Sequence, residues 1–144
     1  MEEEEKVLTV NASMDHLDEV IAFVEEQLES ASCPLKVQGQ ICVSFEELYV
    51  NVVNYAYGEE SGECVIGMNI STVGNEKKMV LTVKDRGNPF NPLKKEDPDI
   101  TLSVEDRPIG GLGIYMVKQS MDDVMYEYQK GWNVIKIVKM WQIS

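Results

Sequence analysis

The residues that most often do chemistry are scarce in this chain. One histidine, His16, and three cysteines, Cys33, Cys42 and Cys64, are all that its 144 residues hold. An odd number of cysteines with no paired spacing argues against a disulfide framework, and a lone histidine gives a zinc site no partner. The three thiols read as buried groups in a reducing cytosol. Positive charge is also short: 13 basic residues face 25 acidic ones, a net charge of −12. That surplus repels nucleic-acid backbones and anionic lipid heads, so neither direct nucleic-acid binding nor a membrane partner is expected. No apolar run approaches the roughly 20 residues of a bilayer-crossing helix. The opening Glu2 to Glu5 is the reverse of a basic secretory leader and reads as a solvated end. The expectation is one cytoplasmic domain over residues 1–144.

What is present is a clear change of period along the chain. Residues 6–11 read as a short strand. Leu17, Val20, Ile21, Val24 and Leu28 then recur at helical spacing, with acidic residues on the other side. A second helix is predicted over residues 35–57, stopped by Gly58, with Val37, Ile41, Phe45, Leu48, Val52 and Ala56 as its main stripe. Val43, Val50 and Val53 lie on another side, so this helix is expected to be central or to touch a second subunit. Cys64, Ile66, Met68 and Ile70 alternate as a strand, and residues 79–85 form its hairpin partner across Gly74-Asn75-Glu76. Residues 86–113 carry four prolines and four glycines. A loop of that length inside a compact domain is usually functional. A short helix near residues 114–121 and two strands around Lys130-Gly131 close the chain. Adjacent hairpins predict an α/β (α+β) two-layer sandwich, its mostly antiparallel mixed sheet carrying the helices on one face.

Two constellations stand out. Glu47 and Asn51 are four residues apart and project from one side of the second helix, with Asn54 three further on. Glu46 points about 100° away, so Glu47 is the partner of Asn51. A carboxylate in a partly apolar cleft can act as a general base, and an amide oxygen suits Mg²⁺. The pair could equally be a surface hydrogen bond. The second constellation is Asp85-Arg86-Gly87 with Gly110-Gly111-Leu112-Gly113. A strand-end carboxylate can accept from an exocyclic amine such as that of adenine, and Gly87 allows close backbone approach to a flat ring. The glycine loop stands before the predicted helix, whose unpaired amides favour phosphate. It lacks the Gly-Lys-Ser/Thr ending of a P-loop, and the strand–loop–helix unit of a dinucleotide fold is missing.

With these motifs in this order, over about residues 7–140, the chain resembles the GHKL ATPase superfamily. It is most similar to the anti-sigma-factor serine/threonine kinases of bacterial stress and sporulation control. The resemblance implies a Bergerat-type α/β sandwich that binds ATP or ADP with Mg²⁺. It implies Glu47 as the base acting on the acceptor hydroxyl or water, Asn51 as the Mg²⁺ ligand and Asp85 as the reader of the adenine amine. Gly87, Gly111 and Gly113 would shape the pocket, and the amides of Gly110, Gly111, Leu112 and Gly113 would lie near the phosphates. Residues 91–109 would be the nucleotide lid; Arg107, close to the glycine loop, is read either as a group reaching the terminal phosphate or as a solvated lid charge. The implied acceptor is a serine or threonine on a small anti-sigma antagonist. The implied second partner is a sigma factor, sequestered by a homodimer. Two positions depart from the family pattern: Asn88-Pro89 follows the Asp-x-Gly unit where a second glycine is common, and Asn54 stands where histidine is common. The alternative is a nucleotide-binding regulatory module that transfers nothing.

Overall fold

The structure is a computed structural model, and it describes residues 5–57, 60–94 and 112–143. Its elements follow one another as β1 (Lys6–Asn11), α1 (Leu17–Ser30), α2 (Leu35–Asn51), β2 (Glu63–Val73), β3 (Glu76–Asp85), α3 (Leu112–Ser120), β4 (Asp123–Gln129) and β5 (Trp132–Gln142). The strands form one five-stranded sheet in the order β1-β2-β3-β5-β4. All four pairings among them are antiparallel. The sheet expected to be mostly antiparallel is antiparallel throughout the described residues, since every neighbouring pair is either a hairpin or an antiparallel return.

Sequence parity sets which face is dry. Cys64, Ile66, Met68 and Ile70 on β2, Met79, Leu81 and Val83 on β3, and Ile135 and Ile137 on β5 are buried. They meet Val20, Val24 and Leu28 of α1, Ile41, Phe45 and Leu48 of α2, and Ile114 and Val117 of α3 in one core. Burying a side chain such as Phe45 contributes roughly 1.5–3 kcal/mol. Tyr49 is buried with its polar end satisfied: its hydroxyl donates to the Ser13 carbonyl at 2.6 Å and accepts from the Ser13 amide at 3.2 Å. That contact ties the last turn of α2 to the turn that opens α1.

Three expectations change. The helix predicted to run to Tyr57 is α-helical only to Asn51 and continues as a π-helical turn, Val52–Ala56. The second apolar side of α2 is only partly covered: Val50 and Val53 are half-buried and Val43 is exposed. Cys33 and Cys64 are buried as expected, whereas Cys42 is half-buried, since it sits one residue past the buried Ile41 on the helix. No helix among the described residues is long and apolar enough to cross a membrane.

Candidate functional site

The end of α2 and the end of β3 meet at one edge of the sandwich, and the start of α3 closes in on α2. The π-helical turn decides what the helix offers there. Its wider repeat shifts the phase of the residues that follow. Leu48, Asn51, Val52 and Ala56 line a cleft, while Asn54 is exposed and does not. Asn54, expected on the face of Glu47 and Asn51, is therefore not brought into the cleft.

The cleft is narrow and partly open to solvent. Val83 and Asp85 of β3, Tyr126 of β4, and Asn133 and Ile135 of β5 form its floor. Phe90 and Pro92 also line it, and the Phe90 ring stacks on Tyr55 with centroids 5.6 Å apart. Apolar walls around a few convergent polar groups are what a small-molecule site requires.

Asp85 is the charged group in that floor, and only 5% of it is exposed. Its Oδ1 accepts from the Gly87 amide and from Asn133 Nδ2, each at 2.9 Å. Both bonds fall on one oxygen, and among the described residues none is recorded to Oδ2. Burial pushes the Asp85 carboxyl above its ordinary value, and the hydrogen bonds from Asn133 and Gly87 pull against that rise.

Gly87 is required by close approach, but not to a ligand ring. A Cβ at that position would stand 2.0 Å from the Ala56 carbonyl oxygen. The segment after β3 is pressed onto the π-helical turn, and the Asn88 amide donates to the same Ala56 carbonyl at 2.8 Å. Tyr57 holds the segment from the other side: its hydroxyl accepts from the Arg86 amide at 2.8 Å and donates to the Glu63 carbonyl.

Glu47 and Asn51 are brought together as the spacing predicted. Asn51 Nδ2 donates to Glu47 Oε1 at 3.4 Å. Glu46, the neighbour set aside by helical phase, is exposed. The Glu47 carboxyl group reaches the start of α3: a Cβ on Gly113 would lie 2.2 Å from its Cδ and 2.4 Å from either oxygen. Glycine at 113 therefore makes room for the carboxylate. The bond to Glu47 uses the Asn51 amide nitrogen and leaves Oδ1 for a cation. An amide oxygen beside a carboxylate is a hard donor set that suits Mg²⁺. Among the described residues no cluster of three or more His, Cys, Asp or Glu side chains could cage a metal.

Arg107, Gly110 and Gly111 lie outside the described residues, as does residues 95–109 of the expected lid. Leu112 opens α3, with its side chain outside the description. Asn133, Tyr126 and Tyr57 were not singled out by the motifs. A signal for Asn133 exists in hindsight: it is the polar residue at an inward position of a strand whose next inward residues are Ile135 and Ile137.

Comparison with known proteins follows the same lines. The family model described as histidine kinase-like ATPase domain matches residues 10–139. The serine-protein kinases RsbW of Bacillus thuringiensis and Bacillus cereus are 32% identical over 97 residues. That of Bacillus mycoides is 34% identical over 97 residues. Each match covers 65% of this chain and 58% of the relative, so the chain spans little more than half the length of these proteins. The crystal structure of the RsbU and RsbW domains of a Mycobacterium tuberculosis protein superposes with a TM-score of 0.65 at 15% identity. It covers 98% of this chain and 34% of the other, a likeness of fold.

Proposed function

The chain belongs to the histidine kinase-like ATPase domain family, and from that membership we propose that it is a Mg-ATP-dependent protein serine/threonine kinase of the anti-sigma type. Its acceptor is a hydroxyl on a small anti-sigma antagonist protein, and its second partner is a sigma factor, held by a homodimer in the cytoplasm. The single observation that carries this reading is the shared cleft. Asp85 and Asn51 both line it, and Glu47 is hydrogen-bonded to Asn51 beside it.

Each residue has a distinct task. Asp85 Oδ2 accepts from the exocyclic amine of adenine at the closed end of the cleft. Asn51 Oδ1 ligates Mg²⁺, which when bound neutralises phosphate charge. The amides of residues 110–113, with those of the first turn of α3, lie toward the phosphates. Arg107 adds positive charge from the lid formed by residues 91–109. Glu47 accepts the proton of the attacking hydroxyl. Phosphoryl transfer depends mostly on such positioning and on charge stabilisation. Local amides and the cation also explain how a chain of charge −12 accepts an anionic nucleotide.

The test pairs two measurements. Purified protein is incubated with γ-labelled ATP, Mg²⁺ and a candidate antagonist, and nucleotide affinity is measured in parallel. Glu47→Gln should lower transfer by about 10²–10⁴-fold while leaving affinity within about threefold. Tight ATP binding with no transfer by the wild type to any antagonist would leave the non-catalytic regulatory module as the better reading. Absence of nucleotide binding would remove both.

A further inference from the structure

We propose that Asn133 is the positioning residue that makes the cleft select 6-amino purines over 6-oxo purines. It does so by fixing Asp85 as a pure hydrogen-bond acceptor. This rests on the nucleotide-binding reading of the cleft, and names the chemistry by which that cleft chooses its base.

Asn133 is 5% exposed and every polar valence it has is used. Its amide nitrogen donates to Asp85 Oδ1 and to the Asn88 carbonyl, each at 2.9 Å, with the Gly87 carbonyl at 3.4 Å. Its amide oxygen accepts from the Phe90 amide at 3.2 Å and from the Tyr126 hydroxyl. The orientation of the amide is fixed by these neighbours. A backbone N–H such as that of Phe90 can only donate, and backbone carbonyls such as those of Gly87 and Asn88 can only accept. One side chain on β5 thereby holds the acidic group of β3, the segment after it and the hydroxyl of β4.

The consequence for Asp85 is specific. A neutral carboxylic acid can donate from Oδ2 and would welcome a 6-oxo purine. An ionised one can only accept, and welcomes a 6-amino purine. Burial favours the neutral form, and the hydrogen bonds from Asn133 and Gly87 oppose it. Among the described residues, the other titratable groups facing Asp85 supply no positive charge that would hold it ionised. Cys64, its register partner on β2, and Tyr57, at the end of the π-helical turn, are both pushed up by burial and stay neutral until alkaline pH. Tyr126 on β4 behaves likewise, and its hydroxyl is committed to Asn133. The Arg86 guanidinium lies over the Trp132 ring, 4.3 Å from its centroid. From α2 the cleft receives Leu48 and Asn51, neither of which titrates. Asn133 and the Gly87 amide are the two groups that keep the carboxylate an acceptor.

The test is a comparison of Mg-ATP with Mg-ITP by calorimetry, on wild type and on Asn133→Asp. The wild type should prefer ATP by at least about tenfold, because the wrong base leaves a buried acceptor unpaired. Asn133→Asp is isosteric but loses the donor and sets a second carboxyl beside the first, so the pair retains a proton. Its ATP-to-ITP preference should fall about tenfold at about pH 6 and partly return at about pH 8.5. A purely structural role would lower both affinities together and leave the ratio unmoved at either pH. That result, in a variant shown to be folded by circular dichroism, overturns the proposal. If the variant does not fold, Asn133→Ala decides: it removes the donor to Asp85 without adding a second carboxyl. A drop in preference of about threefold supports the proposal, and an unchanged preference overturns it. Failure of the wild type to bind either nucleotide is a different outcome, and counts against nucleotide binding itself.

Discussion

At the scale of single residues, the site costs the fold stability. The folded pKa of Asp85 lies above its ordinary value, so its contribution to stability is present only below the unfolded pKa and is lost as pH rises through the folded one. At neutral pH the carboxylate is therefore a burden. Asp85→Asn should raise Tm slightly and abolish ATP binding, which thermal unfolding and calorimetry on one sample will check. Gly87 and Gly113, two of the close-packed glycines, make a contrasting pair. A methyl on Gly87 meets a backbone carbonyl, which cannot yield, and should cost about 1–3 kcal/mol in a denaturant titration. A methyl on Gly113 meets the mobile end of Glu47. It should cost under about 1 kcal/mol yet lower phosphotransfer at least about tenfold by turning the carboxylate away from Asn51. Equal destabilisation by the two substitutions would contradict this view of Glu47. The pairing of Glu47 with Asn51 was legible in the sequence, because it depends on helical phase alone. Asn133 was not: its importance arises from a pairing of β5 with β3, and Asn133 lies 48 positions beyond Asp85. Gly87 was legible as a glycine that must stay small, but its neighbour proved to be Ala56.

At the scale of elements, boundaries carry what the hydrophobic pattern does not. Residues 6–11, the 63–85 hairpin and the last hairpin were readable from their short apolar runs bounded by turn residues. The π-helical turn was not, because it preserves the apolar stripe while changing its phase. Two element ends hold residues that glycine or asparagine would suit better. Ser32, with φ of 55°, sits past the end of α1. Its amide bonds back to the Glu29 carbonyl and the Cys33 amide to the Leu28 carbonyl, a Schellman motif whose left-handed position favours glycine. Lys130 and Gly131 turn β4 into β5 with φ of 54° and 87°, the pattern that favours Asn-Gly. Ser32→Gly and Lys130→Asn should each add about 0.5–1 kcal/mol by chemical denaturation. Both residues lie away from the cleft, so nucleotide affinity should not change.

At the scale of the whole molecule, the buried thiols set an alkaline limit. Burial pushes Cys64 up to about 12, and Cys33 and Cys42 up to about 11, from 9.0. Raised folded values mean that the unfolded chain gives up these protons first. The associated stability is complete below about pH 9 and is lost as pH climbs toward 11 and 12. Urea midpoints should fall across that range, and replacing Cys64 with alanine should flatten the fall while lowering stability at neutral pH. A midpoint that does not move from about pH 8 to about pH 11 would contradict this placement of the thiols.

The most direct test of the central claim is calorimetric titration of Mg-ATP into the wild-type protein and into Asp85→Asn. The expected result is one site per chain in the wild type and no measurable binding in the variant, with the variant folded and at least as heat-stable. Equal affinity in the two proteins, or no uptake by the wild type, would contradict a nucleobase held at Asp85 between α2 and the sheet.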